Sequence, residues 1–379
     1  MRWTVIGALL TAGVCCGQAE FKIPLEGANT SLAVPALATA DGVVYAAYRS
    51  FDWLRFSSEL HVLAYDPSKR KEVRRVTISV PKVHGARASE GLAVSADGHA
   101  LAYVEAYDPC LVLLLSTTDL SEIRRTVALP FSAQDHQRIF AGFDQDQLAL
   151  ASNVYQYARP EMAGLRFIRL STSDLKPSSD TKAPGIAEDT LGSNVWQPSI
   201  GRIWASPFSV HGTGGWREYT EGGQSAGQEF EHRSGISYGA IALGKAGLLA
   251  FYGNMIAKGA VVGYTDHHTA ELNLECVPRP YGISNDPDYA GALCATERDV
   301  LPENRGDKTL SSEFLLLRTT GPTVVWRQKM GWVAVANSNE PDAGMQKGDP
   351  LIYRSGRELW IVAPTKLPTL TVYELRLPE

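Results

Sequence analysis

Positive charge is in short supply in this 379-residue chain: 36 Lys and Arg stand against 41 Asp and Glu, for a net charge of -5. Surfaces for nucleic acid or anionic membranes need a basic footprint, so neither is expected as a partner. Cysteine is scarce too. There are five, and no CxxC or Cys/His pair has zinc spacing, so no metal site is expected. Beyond the N-terminus no apolar run is long enough to span a bilayer as a helix. There is no GxGxxG, no Walker loop, no GxSxG elbow and no convincing amphipathic helix. No motif indicates a cofactor.

What is present fits a globular chain, with 44% hydrophobic and 20% charged residues. The first residues read as a secretory signal: Arg2, an apolar "VIGALLTAGV" (5–14), then Gly17-Gln18-Ala19 as small residues for cleavage. The expected division is 1–19 signal peptide and 20–379 one domain, secreted or periplasmic. A lipid-modified cysteine would want Gly or Ala before it, whereas Val14 precedes Cys15 and Cys15 precedes Cys16. Cleavage leaves Cys110, Cys276 and Cys294. An exported protein permits disulfides, and Cys276 and Cys294 could pair. Three separate buried thiols is the reading preferred here.

The chain repeats itself. "LHVLAYDPSKRKEVRRVTI" (60–78) lies over "CLVLLLSTTDLSEIRRTVA" (110–128) without a gap, matching Val62/Val112, Leu63/Leu113, Glu72/Glu122, Arg74/Arg124 and Arg75/Arg125. "LSTTDL" (115–120) returns as "LSTSDL" (170–175). A first hairpin recurs as "ATADGVVYAAY" (38–48), "VSADGHALAYV" (94–104), "DQDQLALAS" (144–152), "SIGRIWAS" (199–206), "GKAGLLAFY" (244–252), "DYAGALCAT" (288–296) and "RSGRELWIVA" (354–363). The spacing is about 50 residues, a period typical of repeat architectures. Gly at the turn supplies the positive φ that a two-residue hairpin requires. A second hairpin follows in each unit except the last, where "TLTVYELRLPE" (369–379) ends after one strand. "EFKIPL" (20–25) can supply the missing fourth strand.

These repeats resemble the β-propeller superfamily, in particular secreted propellers with YVTN-type and WD40-like repeats. The resemblance implies an all-β ring of four-stranded blades around a channel. Seven blades fit best, closed by the N-terminal strand. Six or eight remain open, because units four to six are degenerate and "GWVAVA" (331–336) could add a strand. A β-sandwich is the runner-up and does not explain the period.

In such a ring the one–two and three–four turns share one face, and the two–three and four–one connections share the other. The second set contains the long segments: 49–59, 153–164, 277–291, 297–313 and 331–350. Insertions in repeat proteins collect on one face, often the binding one. His84 and Arg87 lie in the connection into unit two, and His136 and Arg138 in the connection into unit three. If they converge at the channel mouth they form a proton-transfer or anion-binding cluster. Tyr155, Tyr157 and Arg159 suit a sugar ring or a peptide. Asp286 and Asp288 alternate as calcium ligands do, though they match no complete loop and turn chemistry also explains them. Arg298 adds a cation to the 297–313 segment. Asp266-His267-His268 falls in a three–four turn and is set aside. Trp204, Trp326 and Trp360 read as fillers between blades, and Trp53, Trp196 and Trp216 as contact candidates.

Two functions follow. One is a binding or scaffold module whose long-loop face holds a protein, peptide or glycan. The other is a hydrolase or lyase acting on a sugar or lactone at the channel mouth, which needs His84 and His136 to converge. Fold alone does not separate them.

Overall fold

A computed structural model describes residues 19–25, 36–52, 57–81, 90–105, 110–127, 136–154, 164–184, 193–206, 216–230, 236–243, 247–253, 258–265, 268–283, 286–295, 312–330, 350–366 and 369–377. They form seven antiparallel four-stranded sheets. The chain opens with β1 (Ala19–Pro24). Blade one then holds β2 (Ala36–Ala40), β3 (Val43–Asp52), β4 (Ser57–Asp66) and β5 (Lys71–Ser79). Blade two holds β6 (Glu90–Val94), β7 (Ala100–Glu105), β8 (Leu111–Ser116) and β9 (Glu122–Thr126). Blade three holds β10 (His136–Asp144), β11 (Gln147–Val154), β12 (Gly164–Ser171) and β13 (Pro177–Pro184). Blade four holds β14 (Ser193–Gln197), β15 (Arg202–Ser206), β16 (Trp216–Thr220) and β17 (Ser225–Phe230). Blade five holds β18 (Ile236–Ala242), β19 (Gly247–Gly253), β20 (Gly259–Thr265) and β21 (His268–Leu274). Blade six holds β22 (Val277–Gly282), β23 (Tyr289–Ala295), β24 (Ser312–Arg318) and β25 (Thr323–Met330). Blade seven holds β26 (Leu351–Ser355), β27 (Glu358–Lys366) and β28 (Thr369–Arg376), and β1 completes it by pairing with β28. Inner strands of neighbouring blades touch at six of the seven seams, β2 with β26 among them, and β10 meets blade four at residues 198–200. The seven-bladed propeller and its N-terminal closing strand are as the repeats imply. Residues 331–336 lie outside the described residues.

The core explains the repeat. Strands two and three bury both faces, so their sequences run apolar instead of alternating. In β8, Leu111, Leu113 and Leu115 pack toward blade one, while Val112 and Leu114 pack toward blade three. Successive side chains point to opposite faces of a strand, so each middle strand feeds two interfaces. The described residues contain seven apolar clusters, each uniting two neighbouring blades. Trp204, Trp360 and half-buried Trp326 fill them as expected. Trp216 does too: it is fully buried in the cluster between blades four and five, not exposed for contact.

Turn chemistry is local. Asp41 and Gly42 both take positive φ, 50° and 76°, which matches the twist of a two-residue hairpin. The third turn uses Gln145 at φ 53° and Asp146, one step before the glycine-equivalent Gln147. The outer strands carry a shared irregularity. Glu72 pairs with Tyr65 and Arg74 with Ala64, leaving Val73 as an extra residue. Ile123 and Val325 are extra in the same way. These three are among the few large apolar side chains exposed among the described residues, at 55%, 50% and 47%. A bulge turns its extra residue away from the ladder and blunts an open sheet edge.

Candidate functional site

Topology divides the molecule into two faces. On the turn face no connection exceeds six residues, the longest being 283–288. On the loop face connections range from two residues up to nine (155–163), sixteen (296–311) and twenty (331–350). Two of the expected long segments shrink. Strands β3 and β4 consume most of 49–59, leaving only 53–56 between them. Segment 277–291 is not a loop-face connection but a hairpin, β22 and β23 joined by the turn 283–288.

That last point moves two candidates. Asp286 and Asp288 lie in the β22–β23 turn, hence on the turn face and not with the long loops. They line a wide-open groove of about 460 Å³ with Tyr289, Arg354 and Gly356. Arg354 Nη1 lies 2.7 Å from Asp286 Oδ2, and its guanidinium sits 4.9 Å from the centroid of the Tyr289 ring. Asp286 thus holds blade seven against blade six. Among the described residues no group of three or more His, Cys, Asp or Glu could hold a metal ion.

The same work is done elsewhere on this face. Arg169 of β12 reaches Asp144 Oδ2 at 2.6 Å, Glu221 Oε1 at 2.9 Å and the Pro198 carbonyl at 3.0 Å. Glu221 also accepts the Trp196 indole N–H at 3.0 Å, so that ring is engaged within the scaffold. Arg70 Nη2 lies 2.9 Å from Glu374 Oε2, tying blade one to blade seven.

The other candidates map to the loop face by chain position. His84 and Arg87 fall in connection 80–89 and Tyr155, Tyr157 and Arg159 in 155–163; Arg298 falls in 296–311. All six lie outside the described residues, as does Trp53. His136 and Arg138 belong to the first residues of β10 rather than to a connection; their side chains lie outside the described residues. His136 pairs with Val154, at the strand ends that give onto the loop face. His268 opens β21 after the turn expected for it, and is exposed.

Beneath the loop face the structure contains a polar cluster that sequence reasoning missed. Glu105, the last residue of β7, is completely buried. Arg49 Nε of β3 lies 2.7 Å from its Oε1 and 2.8 Å from its Oε2, Tyr103 donates to Oε2 at 3.1 Å, and Arg49 Nη1 donates to the Pro81 carbonyl at 3.1 Å. Loss of water pushes the Glu105 carboxyl above its ordinary value, against the pull of Arg49. Burial, with the Glu105 charge second, pushes the Cys110 thiol up to about 12, so Cys110 is an inert core residue. In blade one the buried His61 has Nε2 2.7 Å from Ser50 Oγ and Nδ1 3.0 Å from Thr77 Oγ1, and stacks on Tyr48 at 5.1 Å. The available signal was a polar or charged residue inside strands whose neighbours are apolar on both faces.

Cys276 and Cys294 form a disulfide, contrary to the preferred reading of three free thiols; among the described residues Cys110 is the one free cysteine, and it is buried. The pairing needs β23 to lie beside the residue that ends the β21–β22 connection, a proximity that spacing does not reveal. No helix among the described residues is long and apolar enough to cross a membrane.

No family model matches the sequence, and no curated protein matches it. Solved structures do. The chain is similar to the β-propeller domain of Myceliophteria thermophila Cps50 (Swd1), at 10% identity and TM-score 0.52 over 93% of this chain and 99% of that one. It is similar to a chain of the mitotic checkpoint complex, at 9% identity and TM-score 0.55 over all of both chains. Chaetomium thermophilum Raptor matches at 9% identity and TM-score 0.53, over 93% of this chain and 29% of that one. Likeness at such identities is likeness of fold: the chain is a seven-bladed β-propeller.

Proposed function

We propose that the protein is an exported binding or scaffold propeller whose loop face holds a protein, peptide or glycan. The observation that carries this is the asymmetry between the faces. The turn face is built from short turns whose charged groups either finish the turn or join neighbouring blades. The loop face has the chain length to differ from blade to blade. Variable connections on a rigid ring are where recognition is commonly placed. The Cys276–Cys294 bridge and the signal-like N-terminus support export, because disulfides persist in oxidising compartments.

The test is binding to immobilised glycan and peptide arrays by three forms of the full-length protein. These are the native chain, a loop-face variant (Tyr155→Ala, Tyr157→Ala, Arg159→Ala) and a turn-face variant (Asp288→Ala). Binding that disappears in the first variant and persists in the second is the expected result. Loss in the turn-face variant alone, or no array binding by the native chain, overturns the proposal.

A further inference from the structure

We infer that the Glu-x-Arg-Arg stretch shared by β5 and β9 is a rim latch, and that its copy in blade one keeps the closing strand β1 on the ring. In a regular strand, residues three apart point to opposite faces, so Glu72 and Arg75 would not meet. The bulge at Val73 changes this. Arg75 pairs with Leu63 and Glu72 with Tyr65, and both partners face the cluster shared with blade seven. Arg74 pairs with Ala64, which faces blade two. The bulge therefore sends Glu72 and Arg75 one way and Arg74 the other.

The contacts follow that division. Arg75 Nη2 lies 2.8 Å from Glu72 Oε2 and donates to the Pro24 carbonyl at 3.0 Å, while Nη1 donates to the Tyr48 hydroxyl at 2.8 Å. Pro24 is the last residue of β1. In blade two, Arg125 binds Glu122 and donates through Nη1 to the Ser79 carbonyl at 3.1 Å. Ser79 is the last residue of β5, the equivalent place on the preceding outer strand. The first arginine of each pair faces forward, since Arg74 pairs with Ala64 on the blade-two side and Arg124 with Leu114 on the blade-three side.

The two copies do different jobs because the chain runs differently at the two seams. Blades one and two are joined by continuous chain. Blade seven has no chain link between β28 and β1; it is completed by the ladder from Ala19↔Glu374 to Pro24↔Thr369 and by burial of Ile23 and Leu25 against blade one. Blade one grips that strand at both ends. Arg70 lies 5.3 Å from the centroid of the Phe21 ring and pairs with Glu374, while Arg75 holds Pro24. The Arg75 side chain is 14% exposed against 36% for Arg125, so solvent screens the seam copy less.

Hydrogen exchange by mass spectrometry on the full chain tests this, comparing Arg75→Ala, Arg125→Ala and Glu72→Gln with the native protein. A charge-assisted hydrogen bond at a shielded site corresponds to about tenfold in a local opening equilibrium. Arg75→Ala should speed exchange in β1 and β28 about tenfold and leave blades three to six unchanged. Arg125→Ala should leave β1 protected. Glu72→Gln, which keeps the arginine, should speed β1 by about threefold, less so in high salt; it decides the matter if Arg75→Ala does not fold. Unchanged β1 exchange, or parallel loosening of all blades, overturns the latch.

Discussion

At the turn end of blades one to three, Asp66, Asp97, Asp119 and Asp174 all hold carboxyls below their ordinary range, whereas Glu105 at the far end of β7 is pushed above it. The turn carboxylates accept nearby hydroxyl and backbone N–H groups, and Asp97, Asp119 and Asp174 do so in water, whereas the Asp66 side chain is mostly covered. Asp97 accepts from Ser95 and the His99 N–H, and Asp119 from Ser121. At Asp66 burial opposes the shift, but bonds from Lys69 and Ser68 bring it down to about 2. Glu105 has lost its water and depends on Arg49 and Tyr103. One end of the ring uses charge to finish turns. The other buries charge under the surface assigned to binding.

The contrast is broken most directly at Arg49. Arg49→Ala strands a buried carboxylate and should cost about 3–5 kcal/mol in urea unfolding. The double replacement Arg49→Met with Glu105→Leu should recover most of it; a single-variant loss under about 1 kcal/mol would mean the pair is solvated. On the turn face Arg169→Ala removes bonds to Asp144, Glu221 and the Pro198 carbonyl, and should cost about 1.5–3 kcal/mol, read the same way.

The pH dependence should have opposite signs at the two ends. A lowered carboxyl contributes stability that is present above its unfolded value and is lost as pH falls through the folded one. Glu105 is raised, so its contribution is present below the ordinary value of 4.5 and is lost as pH rises through the folded value. Glu105→Gln should therefore gain on the native protein as pH rises from 4.5 toward the folded value, by at most about 1.4 kcal/mol per pH unit, and the difference should level off above it. A difference independent of pH would show that Arg49 fully offsets the burial. The smallest effect belongs to Arg354→Ala: its pair with Asp286 is partly exposed, and thermal unfolding should report a loss of about 1 kcal/mol or less.

Much of the ring was legible because each blade is a local object. Hairpin turns and doubly buried middle strands depend on neighbours in sequence, so Asp41-Gly42 and "LVLLLS" announce themselves. Strand β22 did not. Pro278 and Pro280 make "VPRPYG" read as loop, because proline lacks the N–H that a sheet ladder uses. An innermost strand pairs on one side only, with β23 here, so alternate N–H groups need no partner and proline is admitted. That misreading carried Asp286 and Asp288 to the wrong face. Trp216 misled for a similar reason: it stands at a strand end in sequence, yet the neighbouring blade covers it.

Period and blade content were thus determined by the sequence itself, since they rest on alternation and turn chemistry within about 50 residues, and the closing role of β1 followed from a last repeat one strand short. Tertiary structure alone decided the rest: the Cys276–Cys294 bridge, the Arg49–Glu105 pair and the blade-to-blade reach of Arg70, Arg75 and Arg169. Each joins residues from different strands or blades, and strand alternation does not say which side chains from separate blades will share one dry space.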